Sequence, residues 1–148
     1  MTRNRRSFLK LAGAAIALSI APLKLLAEFV RPEKALAATD LDGVFAQLGT
    51  PTDSDQIMLE SPDIAENGAV VPVGVTSNIP GTSKIYVVIE KNPNPLAAAF
   101  AIPEGTEAFV QTRVKVAQTS PIYAVVEAGG KLYKTSRETK VTLGGCGG

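Results

Sequence analysis

The sequence predicts an all-β fold, an immunoglobulin-like antiparallel β-sandwich with a short N-terminal helix and a flexible C-terminal tail. Three observations predict it. From residue 57 onward, short runs rich in β-branched residues follow one another, separated by turn residues, which is typical of a sandwich. Strand–helix–strand alternation is absent, so a parallel α/β sheet is not expected. Apolar residues make up 45 % of the chain, enough for a normal core.

Residues 1–37 have the features of an export signal. Arg5 and Arg6 stand in a segment that resembles the twin-arginine motif. The apolar, Ala-rich run at 11–20 is too short to span a bilayer, which needs about 20 residues. The sequence Ala-Leu-Ala at 35–37 then provides a small-x-small cleavage site. We therefore expect a twin-arginine signal peptide, export to the periplasm, and no membrane anchor after processing.

The charge balance and the rare residue types exclude several classes of function. Of the 15 basic and 14 acidic residues, 7 basic and 2 acidic lie in residues 1–37, which leaves 8 basic and 12 acidic and a net charge of −4. No basic patch remains to bind nucleic acid. The chain has no histidine, and its single cysteine excludes an internal disulfide or a multi-cysteine metal site. We expect neither an enzyme nor a bound cofactor.

The first predicted element of the domain is a short helix at residues 40–48. Its apolar residues recur at the spacing of one helical face, and they are Leu41, Val44, Phe45 and Leu48. Thr39 or Asp40 can cap the first turn, and Gly49 followed by Pro51 ends the helix. Because the rest of the domain is β-like, we expect this apolar face to pack on a sheet.

The predicted strands extend from residue 57 to residue 143. They are residues 57–60, 69–76, 84–90, 97–102, 107–118, 122–128, 131–134 and 139–143. Pro72 has no N–H to donate to a central ladder, so the strand at 69–76 is expected at a sheet edge or with a bulge. Gly129 and Gly130 form a two-residue hairpin signal between the strands that flank them.

The lone cysteine lies between two pairs of glycines. The five residues are Gly144, Gly145, Cys146, Gly147 and Gly148. Glycine loses the most backbone entropy on ordering, so these residues are predicted to form a flexible arm after a sandwich domain at 38–143. An extended arm places the Cys146 thiol about 10 Å beyond Leu143, at roughly 3.3–3.6 Å per residue. Because the glycines beside it have no side chains, the Cys146 thiol can enter a narrow channel of another protein and exchange S–S bonds there.

The sequence is also compatible with different roles for Cys146. A lone cysteine is usually a buried small hydrophobe, but glycines offer it no apolar neighbours. A structural or adhesive sandwich could use Cys146 for an intermolecular disulfide, since an odd exported cysteine often pairs between chains. A tail of this type also serves as a labelling handle. Small ubiquitin-like proteins carry sulfur differently, as a thiocarboxylate on a terminal Gly-Gly such as Gly147-Gly148.

The arm and several upstream segments resemble the SoxY family of bacterial thiosulfate oxidation. The GGCGG segment at 144–148 is the defining feature of that family. The other similar segments are residues 66–68, 71–73, 91–96, 112–115, 118–120 and 141–143. The likeness covers essentially the whole chain, and the family's immunoglobulin-like sandwich agrees with the predicted strands.

This resemblance implies a periplasmic carrier that holds thiosulfate-derived sulfur on Cys146 and catalyses nothing itself. It implies a heterodimer with SoxZ, a second small β-sandwich protein. It also implies three enzymes that act on the cysteine. The haem c enzyme SoxXA joins thiosulfate to it oxidatively, the metal-dependent hydrolase SoxB releases sulfate and leaves a persulfide, and in some bacteria the molybdenum–haem enzyme SoxCD oxidises the remaining sulfur. No cofactor is implied other than the bound sulfur.

Overall fold

The computed structural model of the protein describes residues 29–142, which contain two short helices and nine strands. The helices are α1 (Glu33–Leu36) and α2 (Leu41–Leu48). The strands are β1 (Thr52–Asp53), β2 (Ile57–Glu60), β3 (Ile64–Ala65), β4 (Val71–Ser77), β5 (Thr82–Ile89), β6 (Leu96–Ala101), β7 (Phe109–Val114), β8 (Ser120–Ala128) and β9 (Lys131–Val141). The described part of the chain is therefore mostly β-structure.

The strands form two sheets. The larger has the order β1-β9-β8-β5-β6, with β3 also paired to β9, and the smaller has the order β2-β4-β7. All the long strands pair antiparallel with their neighbours. This confirms the predicted immunoglobulin-like sandwich. The two-residue strands β1 and β3 depart from it, because both run parallel to β9.

An aliphatic core joins the two sheets. Alternate residues of β5 and β8 are fully buried in it: Ile85, Val87, Ile89, Ile122, Ala124 and Val126. The smaller sheet contributes Val71, Val73 and Val75, which are also fully buried. Each such Val or Ile side chain stabilises the fold by about 1.5–3 kcal/mol on burial. The β-branched run predicted at 84–90 is thus a central strand.

The helices cover the other face of the larger sheet. The buried residues of this second cluster are Ala35, Val44, Tyr86, Val88, Leu96 and Val125. Asp40 caps α2, because its carboxylate accepts a hydrogen bond from Gly43 N at 2.6 Å, and the helix ends at Gly49. Both the predicted helix and its packing on a sheet are therefore confirmed. The larger sheet is buried on both faces, which explains the near-continuous apolar run of β5.

The helix α1 is not predicted from the sequence. It lies inside residues 1–37, which the sequence assigns to the signal peptide, and its four residues are too few to show a helical repeat. Ala35 is only 1 % exposed and belongs to the cluster beneath α2. Cleavage after Ala37 would remove this helix from the domain. Neither helix of residues 29–142 is long and apolar enough to cross a membrane.

The position of Pro72 corrects one prediction. β4 is the central strand of the smaller sheet, and its pairing with β7 runs through Pro72 without a register shift, so the expectation of an edge strand or a bulge is wrong. β2 pairs only with residues 74–77 of β4 and stops short of Pro72, whose register partner is Arg113 on β7. Pro72 thus has a neighbouring strand on one side only. A central strand tolerates a residue without an N–H at such a position.

The last strand is longer than predicted. β9 continues from Lys131 to Val141, where the sequence suggested two strands, and it pairs with β8 from Ala128 to Ser120. Its polar stretch at 135–138 shows no apolar alternation, and this hid the continuity. β7 is shorter than predicted and ends at Val114. The hairpin at Gly129 and Gly130 is confirmed, with φ of 58° and 74°, as a type I′ turn requires.

Candidate functional site

The residues that the sequence predicts as functional lie outside the described part of the chain. They are Arg5, Arg6, Gly144, Gly145, Cys146, Gly147 and Gly148. The structure does describe the place from which the chain leads to Cys146. This place is the end of β9 with the next residue, 140–142, which we call the arm root. Cys146 is four residues beyond Thr142, so the arm root is the fixed origin of its reach.

Hydrogen bonds hold the arm root on both sides. On one side β3 runs parallel to it: Lys140 N donates to the carbonyl of the residue before β3 at 2.9 Å, and Thr142 N donates to Ala65 O at 3.2 Å. On the other side, Val141 N donates to Thr119 Oγ1 at 3.0 Å. All three backbone N–H groups of the arm root therefore have partners, and the chain leaves the domain from a defined point.

A glycine brings the loop between β3 and β4 against the arm root. A Cβ on Gly68 would lie 2.9 Å from Val141 Cγ1 and still closer to Val116 O. Gly68 O accepts a hydrogen bond from Val116 N at 2.7 Å. Asn67 shapes the turn, because its Oδ1 accepts from Ala69 N at 3.0 Å. Close backbone approach is the reason for the glycine in this turn.

A second turn fixes the segment that carries Thr119. Asn92 Nδ2 donates to Lys115 O at 2.7 Å, and Asn92 Oδ1 accepts from Ala117 N at 2.9 Å. Gln118 Nε2 also donates back to this turn. This contact is not predicted from the sequence. An amide side chain can donate and accept at once, so an Asn in a tight turn was the available signal.

Ser120, Tyr86 and Tyr123 have structural roles. Ser120 is fully buried, and its Oγ accepts from Lys91 N at 3.1 Å. Burial, followed by the nearby Glu127, raises the pKa of Tyr86 to about 12. Burial and a hydrogen bond to Glu90 likewise raise the pKa of Tyr123 to about 12. Both hydroxyls stay protonated near neutral pH and donate to these carboxylates. Residues 29–142 contain no group of three or more potential metal ligands.

Charges of both signs surround the arm root. Asp63 and Arg137 form an exposed ion pair at 2.6 Å. The hydrogen bond from Arg137, and then its charge, hold the pKa of Asp63 below its ordinary value of 3.8. Lys140 and Glu66 are also exposed there and carry opposite charges. The arm root therefore shows no strong field of one sign.

Comparison with known proteins covers both the domain and the arm. The family model of the sulfur oxidation protein SoxY matches residues 42–146. The chain belongs to the SoxY family. The structure of the sulfur carrier protein SoxY from Chlorobium limicola f thiosulfatophilum is 39 % identical, with a TM-score of 0.61, over 69 % of this chain and 94 % of that chain. The SoxY family match includes Cys146, which the structure does not describe.

Similarities to other solved structures are weaker. A chain from a structure of the superantigen toxic shock syndrome toxin-1 is 12 % identical, with a TM-score of 0.42, over 58 % of this chain and 99 % of that chain. The reeler domain of human F-spondin is 11 % identical, with a TM-score of 0.41, over 65 % of this chain and 98 % of that chain. A search of curated proteins gave no match.

Proposed function

We propose that the protein is a periplasmic sulfur carrier of thiosulfate oxidation that holds its cargo on Cys146. One observation carries the proposal: in a chain of the SoxY family, the lone cysteine follows four residues after a hydrogen-bonded arm root. The SoxY of Chlorobium limicola is itself described as a sulfur carrier. Because Cys146 is the only thiol in the chain, S–S bond chemistry has a single place to occur.

The chemistry requires of the carrier only an accessible thiol. Loading joins the Cys146 sulfur to the outer sulfur of thiosulfate and releases one proton and two electrons, which SoxXA accepts. SoxB then adds water across the bond between the outer sulfur and the sulfonate group, which thiosulfate already contained, so sulfate leaves and a persulfide remains on Cys146. SoxCD, where a host has it, oxidises the remaining sulfur. The proton and electron transfers take place on these enzymes.

The domain contributes a fixed starting point for the arm. β9 pairs with β8 along its length, and β3 flanks the arm root. Four residues at roughly 3.3–3.6 Å each limit Cys146 to about 14 Å from Thr142, whatever their conformation. The thiol therefore lies within a short radius of one surface of the domain.

We further propose that the protein works as a one-to-one heterodimer with a SoxZ-like β-sandwich protein. A domain of about 110 residues buries only a moderate fraction of its chain surface, so a partner adds stability. The co-expressed SoxZ-like protein should co-purify with this chain in equal amounts. A stable monomer that shows no binding to that protein in sedimentation would contradict the heterodimer.

The carrier role is tested on the peptide that contains Cys146. Protein that has turned over thiosulfate with the Sox enzymes is cleaved after Lys140, and the mass of the peptide 141–148 is measured. We expect thiosulfonate and persulfide adducts on this peptide and none in Cys146→Ser, which should fold normally. Thiosulfate consumption with an unmodified peptide would overturn the proposal. A stable disulfide to another chain as the sole modification would indicate a structural tether instead.

Export is tested separately. Because the twin-arginine pathway reads the arginine pair, changing Arg5 and Arg6 to Lys should leave the precursor in the cytoplasm. The N-terminal sequence of the wild-type periplasmic protein locates the cleavage site, which we expect to leave Ala38 first. Undiminished periplasmic accumulation of the double variant would argue for another export route.

A further inference from the structure

We propose that Ile64 and Val70 form a docking surface for the enzymes that act on the arm. Both are exposed aliphatic side chains, with exposed fractions of 59 % and 50 %. Both belong to residues 63–70, the segment that flanks the arm root on the side of β3. The inference rests on the carrier function proposed above and adds to it the surface that enzymes recognise.

The short reach of Cys146 forces the domain into contact with these enzymes. The Cα of Cys146 can lie at most about 14 Å from that of Thr142, because only four residues separate them. An enzyme that takes the thiol into a recessed active site must therefore bring the mouth of that site close to the arm root. Side chains exposed beside the arm root become buried in every such complex.

Ile64 and Val70 are placed on this contact surface by the elements that hold the arm root. Ile64 is the register partner of Lys140 in the parallel pairing of β3 with β9. Val70 follows two residues after Gly68, whose Cα lies close enough to Val141 that a Cβ would contact it at 2.9 Å. The two aliphatic side chains thus belong to the segment that hydrogen-bonds and packs against the arm root.

The core does not require aliphatic residues at these two positions. Their neighbours Ala65 and Val71 are buried in the core, whereas Ile64 and Val70 are exposed. Neither side chain packs in the core, so a polar residue would suit either position. Within residues 29–142 the exposed large hydrophobic residues are Val30, Met58, Ile64, Val70 and Phe109. Two of the five therefore lie in the eight-residue segment beside the arm root.

The surroundings indicate the chemistry of the partner surface. Lys140 and Glu66 have opposite charges, and Arg137 pairs with Asp63, so these four charges cancel and provide no strong electrostatic recognition. The occupant is accordingly an active-site rim that carries apolar side chains. Two aliphatic side chains are far less than the roughly 800 Å² per partner of a stable interface. Such a small contact area gives weak binding, which allows the carrier to dissociate from one enzyme and bind the next.

The test compares two matched double variants of the full carrier with its partner. Ile64→Thr with Val70→Thr keeps β-branched residues and removes apolar surface at the arm root. Met58→Thr with Phe109→Thr removes two similarly exposed hydrophobic residues far from Val70. Both are register partners of Thr76, near the end of β4, whereas Val70 precedes the start of β4. Thiosulfate loading by SoxXA is measured against carrier concentration.

We expect the variant with Thr at 64 and 70 to raise the KM for the carrier about tenfold, with kcat unchanged. This rise is equivalent to roughly 1.4 kcal/mol of lost binding free energy. The control variant should keep the wild-type KM. A small thiol reagent should label Cys146 at the same rate in all three proteins. An unchanged KM in the variant with Thr at 64 and 70, or an equal rise in KM in the control variant, would overturn the proposed docking surface. A wild-type carrier that is not loaded at all would overturn the carrier function, and this inference with it.

Discussion

The last strand and the arm that follows it place opposite demands on their residues. β9 is held along its length by β8, and at its other edge by β1 and β3. The arm at 144–148 has a single side chain, that of Cys146, among glycines. Strand residues are constrained by hydrogen bonding and packing, and arm residues by the need for a thiol on a thin chain. Substitutions in the arm should therefore cost function without stability, and substitutions at the arm root should cost stability.

Bulk next to the cysteine should have the largest effect. Gly147→Trp or Gly145→Phe widens the arm beside Cys146, so it no longer enters a narrow active site. We expect enzymatic loading and sulfate release to fall about 100-fold, the scale of a small misplacement of reacting groups. Stability should change by no more than roughly 0.5 kcal/mol, as for other surface substitutions.

The control for this prediction is labelling by a small thiol reagent, which needs no channel. Cys146 in both variants should react with the reagent at nearly the wild-type rate, while enzymatic turnover falls. Unchanged turnover with Trp at 147 would mean that the glycines serve reach or flexibility alone. In that case substitutions in the arm would be tolerated even when they add bulk, and a narrow active-site channel would not be the reason for the glycines.

A methyl group at Gly68, beside the arm root, should have an intermediate effect. In Gly68→Ala the new Cβ meets Val141 Cγ1 and Val116 O, and the backbone of Val116 cannot move aside without disturbing its hydrogen bond to Gly68 O. We expect a loss of about 1–3 kcal/mol in the free energy of unfolding, as for other overpacked sites. Amide exchange at Thr142 should also accelerate, because its bond to Ala65 O lies beside the distorted loop.

Gly74→Ala is the matched control for this change. Its new Cβ would lie 3.2 Å from Glu60 Oε2, the end of an exposed and flexible side chain that can move aside. The stability of Gly74→Ala should therefore stay close to wild type, and the exchange rate at Thr142 should not change. Equal losses in the two variants would show that Gly68 has no special relation to the arm root.

The contrast between strand and arm also explains what the sequence could predict. Burial selects β-branched residues, so the strand at 84–90 was recognisable from its local pattern. The cap at Asp40 was recognisable because a short acidic side chain commonly precedes the first turn of a helix. Continuity of β9 was not, because its residues 135–138 are polar and are held by pairing with β8. The central position of β4 was hidden too, since Pro72 signals only its own missing N–H and not how far β2 extends.

The same reasoning applies to the candidate site. Cys146 stands out in the sequence because glycines isolate it, and the family match includes it. The contacts that hold the arm root join residues distant in sequence, such as Thr119 with Val141 and Asn92 with Ala117. An Asn in a tight turn signals that such a contact is possible, but side chains of this type are common in turns, so the local pattern does not identify the segment that they hold.

The ion pair beside β3 should give the smallest effect of all. Arg137 lowers the pKa of Asp63 below 3.8, so the carboxylate stabilises the fold above that value, and this contribution disappears as pH falls through the lowered pKa. Asp63→Asn should therefore melt slightly below wild type at neutral pH, since exposed pairs contribute little. The two melting temperatures should converge in acid. In an NMR titration of Arg137→Gln, the pKa of Asp63 should return toward 3.8. If the pKa of Asp63 is already near 3.8 in the wild-type protein, the ion pair does not form in solution.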